Sequence, residues 1–388
     1  MELARALRGA REQTDDLFSL VHPDSLYARP IAERHRIIFY VGHLEAFDWN
    51  LIGRYALDLR SFHPEFDRLF AFGIDPPPGQ LPCDTASDWP SAAEVDRYNQ
   101  RTRQAIDDVL DDVPEQLLHV AIEHRLMHAE TFAYILHNLP YEGKAADPEG
   151  TALPGESAAP PVARMIDIPA GNARLGRAEE EGFGWDNEFQ AHMVDVSPFS
   201  ISRYKVTNRE YLEFVRAGAE PPFYWREISG RWWYHGMFAE VPLPLDAPVY
   251  VTQDQAEAYA RWRAKSLPTE AQFHRAACPA PVSGNVDFRH WDPIAVTADD
   301  PVDAAGELHP TQMTGNGWEW TSTRFAPFPG FEPFPFYTNY SAPFFDGRHY
   351  VLKGAGPRTA ACFLRPSFRN WFRPAYPYVH ATFRLVES

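Results

Sequence analysis

Along residues 1–140 the apolar positions recur at the three-to-four-residue interval of a single helix face. The opening stretch, Glu2-Leu3-Ala4-Arg5-Ala6-Leu7-Arg8, starts directly in such a charged, amphipathic pattern. Pro30 opens a second helical stretch from Ile31 to about Leu59, with Ile37, Ile38, Val41, Leu44, Phe47 and Leu51 on the repeat. Ser91 is placed to cap a third, Ala92 through Leu110, with Glu94 completing a capping box. Pro114 sits near the start of a fourth, which runs through His124 and His128 to about Asn138. Four such helices bury their apolar faces as an up-and-down bundle. An irregular segment rich in proline and polar residues, 73–90, joins the second helix to the third.

The pattern changes at residues 142–163, whose proline, glycine and small residues mark a linker. From Arg164 the helical interval mostly disappears. Short alternating runs, Met165-Ile166-Asp167-Ile168 and His192-Met193-Val194-Asp195-Val196, lie between glycine- and proline-rich turns and predict strands. Asn208–Ala217 and Gln253–Ala264 predict short helices, and Leu267-Pro268-Thr269-Glu270 opens another. There is no internal repeat. The expected architecture is α+β, with a helical bundle over 1–141, a linker over 142–163 and a loop-rich domain over 164–388.

Bulk properties narrow the functional classes. The chain has 388 residues, 45% of them hydrophobic and 14% aromatic, which suits compact domains with full cores. A formal net charge of −17 leaves no basic surplus for nucleic acid. No apolar run approaches the roughly 20 residues a membrane helix needs. Three cysteines, Cys83, Cys278 and Cys362, far apart and odd in number, suit reduced thiols. With no apolar signal core at the N-terminus, they point to a cytoplasmic protein.

The chemistry is concentrated in Glu-His-Arg-Leu-Met-His (123–128). His124 and His128 at i and i+4 share one helix face, so both imidazoles can reach one metal ion. Such a pair is by itself often incidental. His43, in the earlier helical pattern Gly-His-Leu-Glu-Ala-Phe-Asp-Trp (42–49), could complete a facial set. Three neutral ligands that leave positions open suit redox or Lewis-acid chemistry, and by donor type alone they suit iron or zinc.

Four further motifs carry a resemblance: Gly-Phe-Gly-Trp-Asp-Asn-Glu (182–188), Lys-Val-Thr-Asn-Arg-Glu-Tyr (205–211), Leu-Pro-Thr-Glu-Ala-Gln-Phe (267–273) and Gly-Asn-Gly-Trp-Glu-Trp-Thr (315–321). They resemble the formylglycine-generating-enzyme-like domain, which has a C-type-lectin-like fold. The first half is similar to a DinB-type four-helix bundle. Together, over nearly the whole chain, they resemble the iron-dependent sulfoxide synthases of ergothioneine biosynthesis and their close relative, selenoneine synthase. The resemblance implies Fe(II) held by His43, His124 and His128, with hercynine (trimethylated histidine) and O2 as substrates. It carries substrate binding to Asn370 and Trp371 of Arg369-Asn370-Trp371, where an aromatic face suits a quaternary ammonium. It also implies an active-site phenol near 327–340, for which Tyr337 and Tyr340 are the nearest candidates.

The chain departs from the sulfoxide synthases in places that bear on the second substrate. Members using γ-glutamylcysteine have arginines in the loop before the third helix; here residues 76–90 contain none. The aspartate that often follows Asn-Trp is Phe372, and the glutamine that often precedes the last histidine is Met127. Both donor-facing changes remove charge that an amino-acid donor needs. A selenosugar is the donor this pattern implies, with cysteine or γ-glutamylcysteine as the alternative. Asp84, Asp88 and Trp89 are candidate sugar-binding residues, a carboxylate or an aromatic face being a common sugar contact; solvated loop is the equal or stronger reading of each. A formylglycine-generating enzyme would need a close cysteine pair, whereas Cys278 and Cys362 lie far apart. A DinB-type thiol transferase would leave the second domain without a role, and a non-catalytic lectin-like protein would need no metal.

Overall fold

The chain divides into two compact units, residues 1–150 and 151–388. The computed structural model describes residues 2–73, 81–145, 160–277, 284–297 and 309–387. Residues 76–80 of the arginine-free loop, 146–159 of the expected linker and Cys278 lie outside the described residues. The architecture is α+β: a helical first unit and a second unit of short strands. No helix among the described residues is long and apolar enough to cross a membrane.

The first unit contains α1 (Glu2–Ser19), α2 (Ile37–Asp48), α3 (Pro64–Phe72), α4 (Ala92–Asp107) and α5 (Glu115–His137). α1 turns Leu7, Ala10 and Leu17 inward and packs on α5. α2 packs against α3, α4 and α5 and is buried almost all round, which its run Ile-Ile-Phe-Tyr-Val requires. α4 starts at the expected Ser91–Glu94 capping box.

Three features differ from the sequence expectation. The second helix begins at Ile37 rather than Ile31, because Arg36 stands at its N-cap with a side chain tied to Asp84 and the Tyr27 carbonyl. Past Asp48 it widens into a π-helical segment, Trp49–Ala56. α3 is an addition to the four expected helices. Pro64 opens it, and His63 Nδ1 accepts the Phe66 N–H at 3.3 Å, a histidine cap outside the usual Ser/Thr/Asp/Asn set. Finally, residues 142–145, expected to begin the linker, are folded into the first unit: the Ala145 N–H donates to the Leu20 carbonyl at 2.8 Å and Lys144 is buried.

The second unit contains β1 (Met165–Ile168), β2 (Gly171–Leu175), β3 (His192–Val196), β4 (Phe199–Ser202), α6 (Asn208–Arg216), β5 (Trp225–Ile228), β6 (Arg231–His235), β7 (Glu240–Pro242), α7 (Gln253–Trp262) and α8 (Glu270–Ala277). β8 (Gly317–Arg324), β9 (Tyr350–Ala355), β10 (Asn370–Phe372), β11 (Ala381–Thr382) and β12 (Val386–Glu387) follow. The strands form sheets ordered β1-β4-β12, β10-β9-β8-β11, β2-β3 and β5-β6-β7, with β11 parallel to β8. Phe199, Ile201, Phe273, Met313 and Val386 form one core cluster.

With so little regular structure, buried ion pairs brace this unit, and the recognised motifs supply them. Lys205 donates to Glu319 at 2.7 Å, and Arg384 meets the same carboxylate at 3.0 Å. Glu270 takes Arg369 at 3.0 and 3.1 Å. Glu188 accepts from Arg365 at 2.8 Å, from Ser367 at 2.7 Å and from the Trp185 N–H at 2.9 Å. Each carboxylate is buried. Removing one partner of such a pair costs about 3–5 kcal/mol, so these motifs hold loops to one another.

Candidate metal centre

α2 carries His43 and α5 carries His124 and His128. One ligand nitrogen from each falls within 4.8 Å of the others. His43 Nε2 lies 3.2 Å from His128 Nε2. Two nitrogens bound to one ion at ~2.1 Å would be about 3.0–3.4 Å apart, so the separation suits shared ligation. The structure thus brings all three sequence-predicted ligands together.

The surroundings fix their form. His43 Nδ1 is 2.7 Å from the Phe70 carbonyl, which can only accept, so Nδ1 carries the proton and Nε2 presents its lone pair. Burial lowers the His43 pKa to about 4, and it pushes His124 and His128 well below the usual range, each further depressed by a neighbouring imidazole. Neutral imidazoles are the ligating form. At 3.2 Å, His43 Nε2 and His128 Nε2 are placed to share one proton or one ion, and the three-imidazole set fits a first-row divalent metal.

Aromatic rings orient the ligands. Phe47 stacks on His124 at 3.4 Å and 8°, and Phe39 stacks on His43 at 4.8 Å. Tyr40 lies 6.1 Å from His128, its phenol held protonated by burial, which raises its pKa to about 12. Sequence reasoning passed over these three. The signal was present, since Phe39 and Phe47 stand one turn before and after His43. The Phe70 carbonyl left none, being backbone.

The candidate donor residues have a different placement. Asp84 is buried, with one oxygen taken by Arg29 and the other by Arg36 at 2.9 Å and by the Trp89 indole N–H at 2.7 Å. The Asp84 carboxylate is thus engaged by three donors of the protein itself. Trp89 is likewise buried, its ring against Phe39 and Phe70. Asp88 is exposed and caps its own turn through the Thr85 N–H at 2.6 Å. Met127 is half-buried on α5 between the two histidines.

In the second unit, Trp371 lies flat on Phe325 at 4.2 Å and 6°, with Tyr340 against it edge-on at 5.4 Å. Tyr340 stacks on Trp185 at 4.0 Å, and Tyr337 stands 5.6 Å from Tyr340. Both candidate phenols and the candidate ammonium-binding ring therefore share one aromatic cluster. Burial, reinforced by Asp186, lifts the Tyr337 pKa to about 12. Asn370 Oδ1 accepts the Trp371 N–H at 2.9 Å, and Phe372 stacks on Tyr376.

Comparison with known proteins agrees with these two halves. Residues 6–137 match the DinB superfamily, and 150–388 match the sulfatase-modifying factor enzyme 1-like domain. A hercynine oxygenase of Mycolicibacterium thermoresistibile is 35% identical over 343 residues, 76% of this chain and 75% of that protein. That of Mycolicibacterium smegmatis is 35% identical over 325 residues, 72% of this chain and 74% of that protein. Ergothioneine biosynthesis protein 1 of Schizosaccharomyces pombe is 27% identical over 430 residues, 95% of this chain and 54% of that protein. With a DinB-type bundle and a sulfatase-modifying-factor-like domain in one chain, aligned over some three quarters of two such proteins, the chain belongs to the hercynine oxygenase family.

Proposed function

We propose that this protein joins the imidazole ring carbon of hercynine to the selenium of a selenosugar, using iron(II) and dioxygen, on the way to selenoneine. The observation that carries the reading is the convergence of His43, His124 and His128, all in the neutral form, in a chain of this family. Iron(II) held by these three would supply dioxygen chemistry at its open positions. The reaction balances with a selenol donor: the ring C–H and the Se–H are lost, one oxygen atom becomes water and the other stays on selenium. Elimination from the selenoxide breaks the sugar C–Se bond, releasing the sugar as an unsaturated derivative and leaving a selenenic acid. Two equivalents of an external thiol reduce that acid to selenoneine, with disulfide and water as products.

The chain's own residues bind, orient and protonate. Trp371, with one face on Phe325, offers its remaining surface to the trimethylammonium group, and Asn370 and Met127 orient the substrate. Tyr337 and Tyr340 are the proton donors, and the raised pKa of Tyr337 keeps it in the donating form. An uncharged donor is supported by the absence of arginine from residues 76–90; nearby, Arg29 and Arg36 both pair with Asp84, whose single charge offsets one of them. Exposed free thiols at Cys83 and Cys362 suit a reducing, cytoplasmic setting.

A thiol donor, cysteine or γ-glutamylcysteine, is the second reading, favoured by the similarity to ergothioneine biosynthesis protein 1. Anaerobic loading with Fe(II), then hercynine, air and either a selenosugar or a thiol donor, separates the two by mass spectrometry. Selenoneine from the selenosugar alone is the expected result. A sulfoxide from γ-glutamylcysteine would overturn the donor assignment and keep the iron chemistry. Absence of both oxygen uptake and product would favour a non-catalytic, lectin-like role.

A further inference from the structure

Beside the triad, the interior of the bundle holds charge that packing alone does not call for. Arg125 follows His124 directly on α5, and its side chain is fully buried. It donates to Glu45 at 3.0 Å through Nη1 and to Asp48 at 2.8 Å through Nη2, with a further contact to Thr14 of α1 at 3.3 Å. Glu45 and Asp48 lie on α2, two and five residues beyond His43, and are as deeply buried. Arg103 of α4 reaches Glu45 at 2.8 and 2.9 Å and Asp15 of α1 at 2.6 and 2.7 Å. One cluster thus ties α1, α2, α4 and α5.

Withdrawing a guanidinium and two carboxylates from water costs several kcal/mol per ion, and well-packed apolar side chains of similar volume often hold helices as well or better. Stability alone is therefore a poor account of the cluster. What a planar fork on two carboxylates adds is a fixed register, because apolar helix faces repack at small cost while a fork fits its acceptors in one geometry. The two helices so pinned are those that carry the ligands, and their register sets His43 Nε2 3.2 Å from His128 Nε2.

We propose that Arg125, gripping Glu45 and Asp48, is a positioning residue for the metal centre: it locks α5 against α2 so that the three imidazoles converge on one point. The inference rests on the reading of the triad as a metal site. It does not require Arg125 to touch metal or substrate.

The test titrates apo-protein with Co(II), whose visible absorption reports coordination geometry, and anaerobically with Fe(II), while the melting temperature is followed without metal. Two variants are needed. Replacing the cluster by Glu45→Met, Asp48→Leu and Arg125→Met keeps the volume apolar and leaves no buried charge unpaired. Arg125→Lys keeps the charge and loses the fork. The expected result is an apo melting temperature for the triple variant equal to or above wild type, with Co(II) and Fe(II) bound at least tenfold more weakly and a changed Co(II) spectrum. Arg125→Lys should weaken binding in the same direction by a smaller factor. Wild-type affinity and spectrum in Arg125→Lys, or in a folded triple variant, would overturn the proposal. If the triple variant fails to fold, Arg125→Lys decides alone. Failure of the wild-type protein to bind either metal would overturn the reading of the triad, and the inference with it.

Discussion

Single residues in this protein do chemistry through what surrounds them. His43 has a fixed tautomer, with Nε2 turned to the other two imidazoles, because one carbonyl holds its Nδ1 proton. Removing a ligand is therefore a clean test. His128→Ala should cut bound iron after anaerobic loading to below a tenth of the wild-type level, read by elemental analysis, with the far-ultraviolet circular dichroism unchanged. Retained iron and turnover would sink the triad assignment. Trp371 is tested by its substrate. An aromatic face holds a trimethylammonium group by about 1–2 kcal/mol, so Trp371→Ala should raise the KM for hercynine about tenfold, leaving iron content intact, and Trp371→Phe should restore part of it. The sequence showed the histidines because their spacing on helices carries chemistry, and Trp371 only through the family resemblance of Arg369-Asn370-Trp371. It could not show that Asp84 is enclosed, since an aspartate written in a loop reads as solvated until its partners Arg29 and Arg36, far earlier in the chain, are brought to it.

At the level of elements, the triad depends on how closely α2 and α3 approach. A Cβ built on Gly42 would lie 2.5 Å from the Phe70 ring, and the same Phe70 supplies the carbonyl that orients His43. Gly42→Ala should cost about 1–3 kcal/mol by denaturant unfolding. It should also weaken metal binding, whereas a substitution of similar cost placed elsewhere in α2, remote from Phe70, His43 and the Glu45–Asp48 pair, should not. The clamp over residues 81–90 makes a pH-dependent contribution. Burial alone would raise the Asp84 pKa, but hydrogen bonds from Trp89 and Arg36 and the charge of Arg29 outweigh it and hold the carboxyl below its usual range. A carboxyl lowered in the folded state stabilises fully above its unfolded value, ~3.9, and that contribution fades as pH falls through the folded value. Asp84→Asn should thus lose about 2–3 kcal/mol at pH 7, with the gap to wild type closing in acid and the KM for the donor unmoved. Helix α3 is the element that periodicity missed: nine residues, opened by Pro64 and closed by Gly73, are too short for a repeat to stand out, and the cap is a histidine.

Over the whole molecule, buried imidazoles set the response to acid. His43, His124, His128, His274 and His380 are all pushed below the ordinary histidine pKa, chiefly by burial, to about 4 for His43 and about 3 for His274. Below pH ~6.5 the unfolded chain binds protons that the folded chain refuses, so stability rises with pH in that range and falls on acidification. The limiting slope is about 1.4 kcal/mol per pH unit for each such histidine. Metal-free protein should accordingly lose melting temperature steadily from pH 7 to 5, and a flat profile would argue that these rings are solvated. The division into a helical and a strand-rich half was legible from periodicity, as were β1, β3, α6 and α7 to within a residue or two. The sheet order was not, because pairings such as β4 with β12 join residues far apart in the chain. A wider consequence follows from the buried pairs Lys205–Glu319, Glu270–Arg369 and Glu188–Arg365. The words by which such chains are found in genomes are largely the words that hold the scaffold shut. A search built on them retrieves scaffolds, and sorting the retrieved chains by what they make falls to the short stretches the scaffold displays, residues 334–340 and 370–372.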